Sequence, residues 1–140
     1  MVLLDIFDPK APPQPIGIDL GTTNSIVASL RDGRPVALTT CDGDALLPSV
    51  VYYSPEGAVR VGRSAAAYAT REPSRTIQSV KRLMGRGADD PETRRLSTYR
   101  FARADTAEQA RLVRFDLGTF QPSAVEVSAE ILKSLKQSAV

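Results

Sequence analysis

Histidine and tryptophan are missing from the whole 140-residue chain, and cysteine occurs once, as Cys41. Without an imidazole there is no Ser-His-Asp or Cys-His catalysis, no histidine metal ligation and no imidazole pH switch. One thiol excludes an intramolecular disulfide and a cysteine-built zinc site. It also makes the cytoplasm the default compartment. Catalysis is left to carboxylates, lysine, hydroxyls and the backbone. No run approaches the roughly 20 apolar residues of a membrane-spanning helix. Residues 1–7 are interrupted by Asp5 and lack the basic start and long apolar stretch of a secretory leader. Neither a membrane nor export is expected.

What is there fits a globular protein. The composition, 42% hydrophobic and 24% charged, suits a single folded unit rather than a disordered chain. The net charge of +2 is spread unevenly. Residues 1–59 hold three Lys/Arg against seven Asp/Glu, residues 60–114 hold thirteen against six, and residues 115–140 hold two against three. A basic middle is the footprint of a nucleic-acid binder. Here the arginines alternate with acids and no stacking set of aromatics accompanies them, so we read a solvated face and expect no nucleic acid.

Residues 8–15 contain four of the ten prolines and read as an extended arm, residues 1–15 in all. Folded structure begins at Ile16. Alternation over residues 16–20, a β-rich run over 25–30 closed by Asp32-Gly33, and a third run over 35–40 predict a three-stranded antiparallel meander. Residues 49–53 and 58–61 read as further strands, and the alanines of residues 63–71 as a helix stopped by Pro73. Residues 76–84 read as another short helical piece. Residues 99–117 alternate at both ends around a polar stretch, which favours a hairpin over a helix capped by Thr106. A final helix follows Pro122, with Ser128 as its expected N-cap and Ile131, Leu132, Leu135 and Ala139 as its apolar stripe. It reaches Val140 with no capping glycine, a sign that the polypeptide continues.

The stretch that carries chemistry is Ile16-Gly17-Ile18-Asp19-Leu20-Gly21-Thr22-Thr23-Asn24-Ser25. It matches neither the Walker A loop nor the dinucleotide fingerprint. A carboxylate ends a strand two residues before a glycine, and two threonines then offer hydroxyls and backbone N–H groups. Such a loop holds phosphate oxygens while Asp19 holds a hydrated Mg²⁺ beside them. An ordinary hairpin turn with a surface aspartate has the same spacing, so residue types alone leave both readings open.

The same residues resemble the first phosphate loop of the superfamily that joins actin, sugar kinases and heat-shock chaperone ATPases. Gly17 to Ser25 is similar to DnaK-type chaperones, the seventy-kilodalton heat-shock class. Three more segments resemble that class in the same order: Leu47-Pro48-Ser49-Val50-Val51-Tyr52-Tyr53, Ser79-Val80-Lys81-Arg82-Leu83-Met84-Gly85-Arg86 and Val127-Ser128-Ala129-Glu130-Ile131-Leu132. The N-terminal arm, Leu46-Leu47-Pro48-Ser49, Leu83-Met84-Gly85-Arg86 and Val127-Ser128-Ala129-Glu130-Ile131-Leu132-Lys133 resemble the branch of the class devoted to iron–sulfur cluster assembly.

The resemblance implies an α/β, ribonuclease-H-like, actin-type ATPase fold, present as part of its first lobe. Residues 16–40 would be core strands, 41–117 an inserted subdomain, and 118–140 the return to the core. It implies ATP/ADP and Mg²⁺ as ligands, with Asp19 orienting the metal through water. Gly21, Thr22 and Thr23, with Asn24 beside them, would wrap the phosphates. Lys81 would approach the γ-phosphate and the attacking water, while Arg82 is read as one half of a structural ion pair. A J-domain co-chaperone and an iron–sulfur scaffold protein are the implied partners. Lone Cys41 is read as a bystander and not a cluster ligand. The family's second phosphate loop and adenosine segment have no match here, so the 140 residues alone are expected to be inactive. A sugar-kinase or actin-like relative and a non-enzymatic binding module are the alternatives.

Overall fold

The structure, a computed structural model, describes residues 12–96 and 98–140. Most of the expected arm lies outside the described residues; residues 12–15 are exposed and carry no regular secondary structure. The chain is α/β, with two small antiparallel sheets and one long helix.

The meander expected from the first 40 residues is present as β1 (Ile16–Asp19), β2 (Asn24–Arg31) and β3 (Arg34–Ala37), in that spatial order. Between β2 and β3 only Asp32 and Gly33 intervene, both with positive φ (51° and 74°), and Arg31 pairs with Arg34. That is a two-residue turn whose twist matches the strands it joins. A short β4 (Leu47–Pro48) pairs with the start of β2, Asn24 opposite Pro48 and Ser25 opposite Leu47.

The second sheet has β5 (Val50–Tyr53) in its centre, with β6 (Val59–Val61) and β7 (Thr76–Gln78) on either side. All four residues of β5 are buried. Successive strand residues face opposite sides, and both sides are covered. Val51 and Tyr53 belong to the main core, while Val50 and Tyr52 pack with Ala65 and Tyr68 of the chain that follows β6. The Tyr52 and Tyr68 rings stack in parallel at 4.0 Å, and the Tyr52 hydroxyl donates to Glu72 at 2.9 Å.

The long helix closes the main core. Val127, Ile131 and Leu135 are fully buried against Val27 of the first sheet, Val51 of the second, and Phe115. One apolar stripe on one helix therefore joins the two sheets.

Three expectations are corrected and a fourth is met only in part. Residues 76–84 are not helical: Thr76–Gln78 is strand β7, and a 3-10 turn, Val80–Leu83, follows. The open edge of β5 captures a β-branched pair, Thr76 and Ile77, and Ser79 at φ 55° then breaks the strand. The alanine-rich segment forms only α1 (Arg63–Ala66), and 3-10-type bonds such as Tyr68 N–H to Ala65 C=O continue it as turns. The hairpin expected over residues 99–117 is present in shortened form, Phe101 antiparallel to Phe115 with Ala102 N–H donating to Arg114 C=O and Asp116 N–H to Arg100 C=O, while the polar tip holds a 3-10 turn at Gln109–Arg111 with Thr106 accepting from Gln109 N–H. Finally, the terminal helix is capped by Ser123 and not by Ser128. After α2 (Pro91–Arg95), for which the sequence reading had no expectation, α3 runs Ala124–Ser138.

At that helix start, Ser123 accepts from Glu126 N–H, and Glu126 accepts in return from Ser123 N–H. The reciprocal pair satisfies two amides that lack intrahelical partners. Those bonds, with Arg114 beside it, hold the Glu126 carboxyl below its ordinary range. Ser128 lies inside the helix, buried, and donates to Ala124 C=O.

Candidate functional site

Asp19 is the last residue of β1, exposed, directly opposite Ile26. The chain then leaves the sheet for four residues and re-enters at Asn24, the first residue of β2. Gly21 and Thr22 are half-buried; Thr23 and Asn24 are exposed. The glycine is required by close approach: a Cβ on Gly21 would overlap the carbonyl oxygen of Asn24.

The loop is held from below by two serines, each only 1% exposed. Ser25 Oγ accepts from Gly21 N–H at 3.3 Å, the Ser25 and Ser49 hydroxyls lie 2.8 Å apart, and Ser49 Oγ donates to Gly21 C=O at 2.8 Å. Ser49 N–H also donates to Thr23 C=O at 2.9 Å. Two carbonyls of the loop are therefore turned toward Ser49. Neither serine was assigned a role from sequence. Both sit inside the motif segments, and the signal that marks them is the shared pattern of a serine closing the loop and a serine opening the next strand.

Lys81 lies in the 3-10 turn after β7. Its neighbours Val80 and Leu83 are buried in the main core, which leaves Lys81 and Arg82 exposed. Neither forms an ion pair among the described residues, so the structural pair expected for Arg82 is not found there. The strand register relates this turn to the loop. Ser49, which grips Gly21, immediately precedes β5, and Val50 of β5 pairs with Gln78, the last residue of β7. Because β5 and β7 run antiparallel, β5 begins at the end where β7 finishes. The loop, held by Ser49 at the start of β5, and the Lys81 turn, which follows β7, thus lie at the same end of the second sheet.

The described residues hold no group of three His, Cys, Asp or Glu side chains able to enclose a metal. A lone carboxylate beside a loop suits Mg²⁺, which keeps several waters and takes one or two carboxylates plus phosphate oxygens. A surface hollow of about 600 Å³ is lined by Phe101, Arg103, Asp105, Gln109 and Arg114 among others, and includes none of the expected site residues.

Residues 15–140 match the family model described as Hsp70 protein. The chain is 46% identical over 146 residues to a chaperone protein HscA homolog of Azotobacter vinelandii, covering 99% of this chain and 23% of that protein. Homologs of the same name from Methylococcus capsulatus and Azoarcus sp. are 44% and 43% identical, over 99% of this chain and 22% of theirs. The chain belongs to the Hsp70 family, and with it to the actin-like ATPase fold. It spans less than a quarter of the length of these relatives.

Proposed function

We propose that these residues form one wall of the nucleotide cleft of a chaperone ATPase of the HscA type, which serves iron–sulfur cluster assembly. One observation carries the reading. The register Val50–Gln78, together with the Ser49–Gly21 bond, sets the glycine-threonine loop and the Lys81 turn at one end of the second sheet. Backbone N–H groups of residues 22–24 would receive the β- and γ-phosphates of ATP, as a loop of exposed amides does. Asp19 would orient the waters of a Mg²⁺ ion, which supplies charge neutralisation on the phosphates. The Lys81 ammonium, exposed and without an ionic partner among the described residues, is suited to hold the attacking water and oppose charge developing on the transferred group.

The ribonuclease-H-like division belongs to the same reading. Residues 16–40 supply core strands, residues 41–117 an inserted subdomain built on the second sheet, and residues 118–140 the return through α3. The described residues include no helix long and apolar enough to cross a membrane; the chaperone reading itself would put the protein in the cytoplasm. ATP hydrolysis in the full-length protein would switch its affinity for a scaffold-protein peptide, with a J-domain co-chaperone as stimulant.

The test is ATP turnover by the full-length polypeptide with and without an iron–sulfur scaffold protein and a J-domain protein. Stimulation by both together is expected. Phosphorylation of a small alcohol, or binding of nucleic acid that weakens steeply with salt, would replace the reading.

A further inference from the structure

The two buried serines under the loop form a closed circuit whose direction is fully determined. Gly21 N–H can only donate and Gly21 C=O can only accept. Ser49 has one hydroxyl proton and gives it to Gly21 C=O at 2.8 Å. The 2.8 Å contact between the hydroxyls must then be a donation from Ser25 to Ser49. Ser25, its proton spent, accepts from Gly21 N–H at 3.3 Å. The circuit therefore runs from Gly21 N–H through Ser25 and Ser49 back to Gly21 C=O. Every bond points the same way around, so each polarises the next.

This circuit orients the peptide that follows Gly21. In a trans peptide the C=O and the next N–H point in opposite directions. With Gly21 C=O turned toward the buried serines, Thr22 N–H faces the open side of the loop, and it has no hydrogen-bond partner among the described residues. Thr23 C=O is turned the same way by Ser49 N–H, so no loop carbonyl gripped by Ser49 faces an incoming anion.

The geometry points to Ser49, with Ser25 as its relay, as a positioning residue that keeps the loop's amides toward a phosphate and its carbonyls away from it. Ser49 never touches the ligand; it acts through the Gly21 peptide. The inference rests on the phosphate-loop reading proposed above and adds to it the device that sets the loop's polarity.

The experiment compares affinities of the full-length protein for ATP and for adenosine, which lacks the phosphates. In S49A the affinity for ATP should fall about tenfold, the size of one well-made hydrogen-bond link, with adenosine affinity unchanged. The double variant S25A/S49A should fall no further than S49A, because a relay without its terminus orients nothing. Undiminished ATP affinity in S49A overturns the inference. So does an equal loss for ATP and adenosine, since that is a defect of folding and not of loop polarity. A wild-type protein that binds ATP no better than adenosine removes the phosphate-loop reading itself, and is recognised before any variant is made.

Discussion

The two sheets of this molecule are built to opposite plans. Every residue of β1 and β3 is exposed, including Ile16 at 43% and Ile18 at 39%, whereas every residue of β5 is buried. The first sheet touches the core chiefly through Val27 and Leu47, while the second is covered on both faces. Yet the candidate site hangs on the first sheet. The difference shows how a thinly packed sheet can present a defined loop: the loop is tied to the well-packed region by hydroxyl and backbone bonds from Ser49, at the threshold of β5. Rigidity is borrowed from the buried sheet, while Thr23 and Asn24 on the loop stay exposed.

The contrast can be broken most directly by truncating one side chain from each region. Phe115→Ala removes a fully buried ring that packs with Tyr99 and Phe101, and should cost about 3–5 kcal/mol. Ile18→Ala on the exposed sheet should cost about 1 kcal/mol or less. Urea midpoints of the purified chain decide it; equal losses would mean that the two sheets are equally packed.

Lys81→Ala sharpens the comparison from the catalytic side. Its neighbours anchor the turn, so the fold should stand while turnover of the full-length protein drops by about 100-fold to 1,000-fold and ATP affinity stays near wild type. Unchanged single-turnover rates would remove Lys81 from the mechanism. Gly21→Ala should act on the other quantity. The new methyl meets the Asn24 carbonyl, distorting the loop, and ATP affinity measured by titration should fall by about tenfold or more.

A smaller effect separates two serines of α3. Ser123→Ala loses the cap and its reciprocal bond, at about 1 kcal/mol in thermal unfolding. Ser128→Ala loses a bond within the helix and a weak contact with Met84 Sδ at 3.2 Å but gains helix propensity, so it should stay within about 0.5 kcal/mol. The reverse ranking would restore Ser128 as the cap.

The smallest effect is the pH dependence carried by Glu126. Its carboxyl is held low in the folded chain, first by Ser123 N–H, so the unfolded chain binds that proton more readily. The stabilisation is therefore complete above the ordinary carboxylate range and fades as the pH falls through the folded value. With the side chain 59% exposed, screening keeps the contribution below about 1 kcal/mol. Glu126→Gln should flatten the acid limb of stability against pH by that amount; an unaltered limb would assign it to other carboxylates, Asp90 among them, whose carboxyl is held low by Glu92 N–H.

Much of the fold was legible where short-range chemistry decides. Asp32-Gly33 specified its turn, and alternation over residues 16–30 specified two strands of the meander. The site residues were legible as an ordered string, since Asp19, Gly21, Thr22 and Thr23 are contiguous or nearly so. Residues 76–84 were not legible, because the free edge of β5, more than twenty residues earlier, decides that Thr76 and Ile77 are strand. The N-cap was misplaced for a different reason. Ser123 and Ser128 both precede helical sequence, and the choice between them depends on where Phe115 N–H meets Pro122 C=O, which fixes the helix start.

By itself the sequence determined the chemistry available to this protein: no imidazole, one thiol, an aspartate and a glycine-threonine loop in register, and a lysine in a segment flanked by apolar anchors. Those are properties of residue type and short spacing, which water and backbone geometry read locally. Tertiary structure alone decided that Ser49 lies beneath Gly21, and that the Lys81 turn leaves the sheet at the same end. Both follow from antiparallel pairing and from the burial of β5 between two layers. Such contacts join residues tens of positions apart, and only the closing of a shared core sets them.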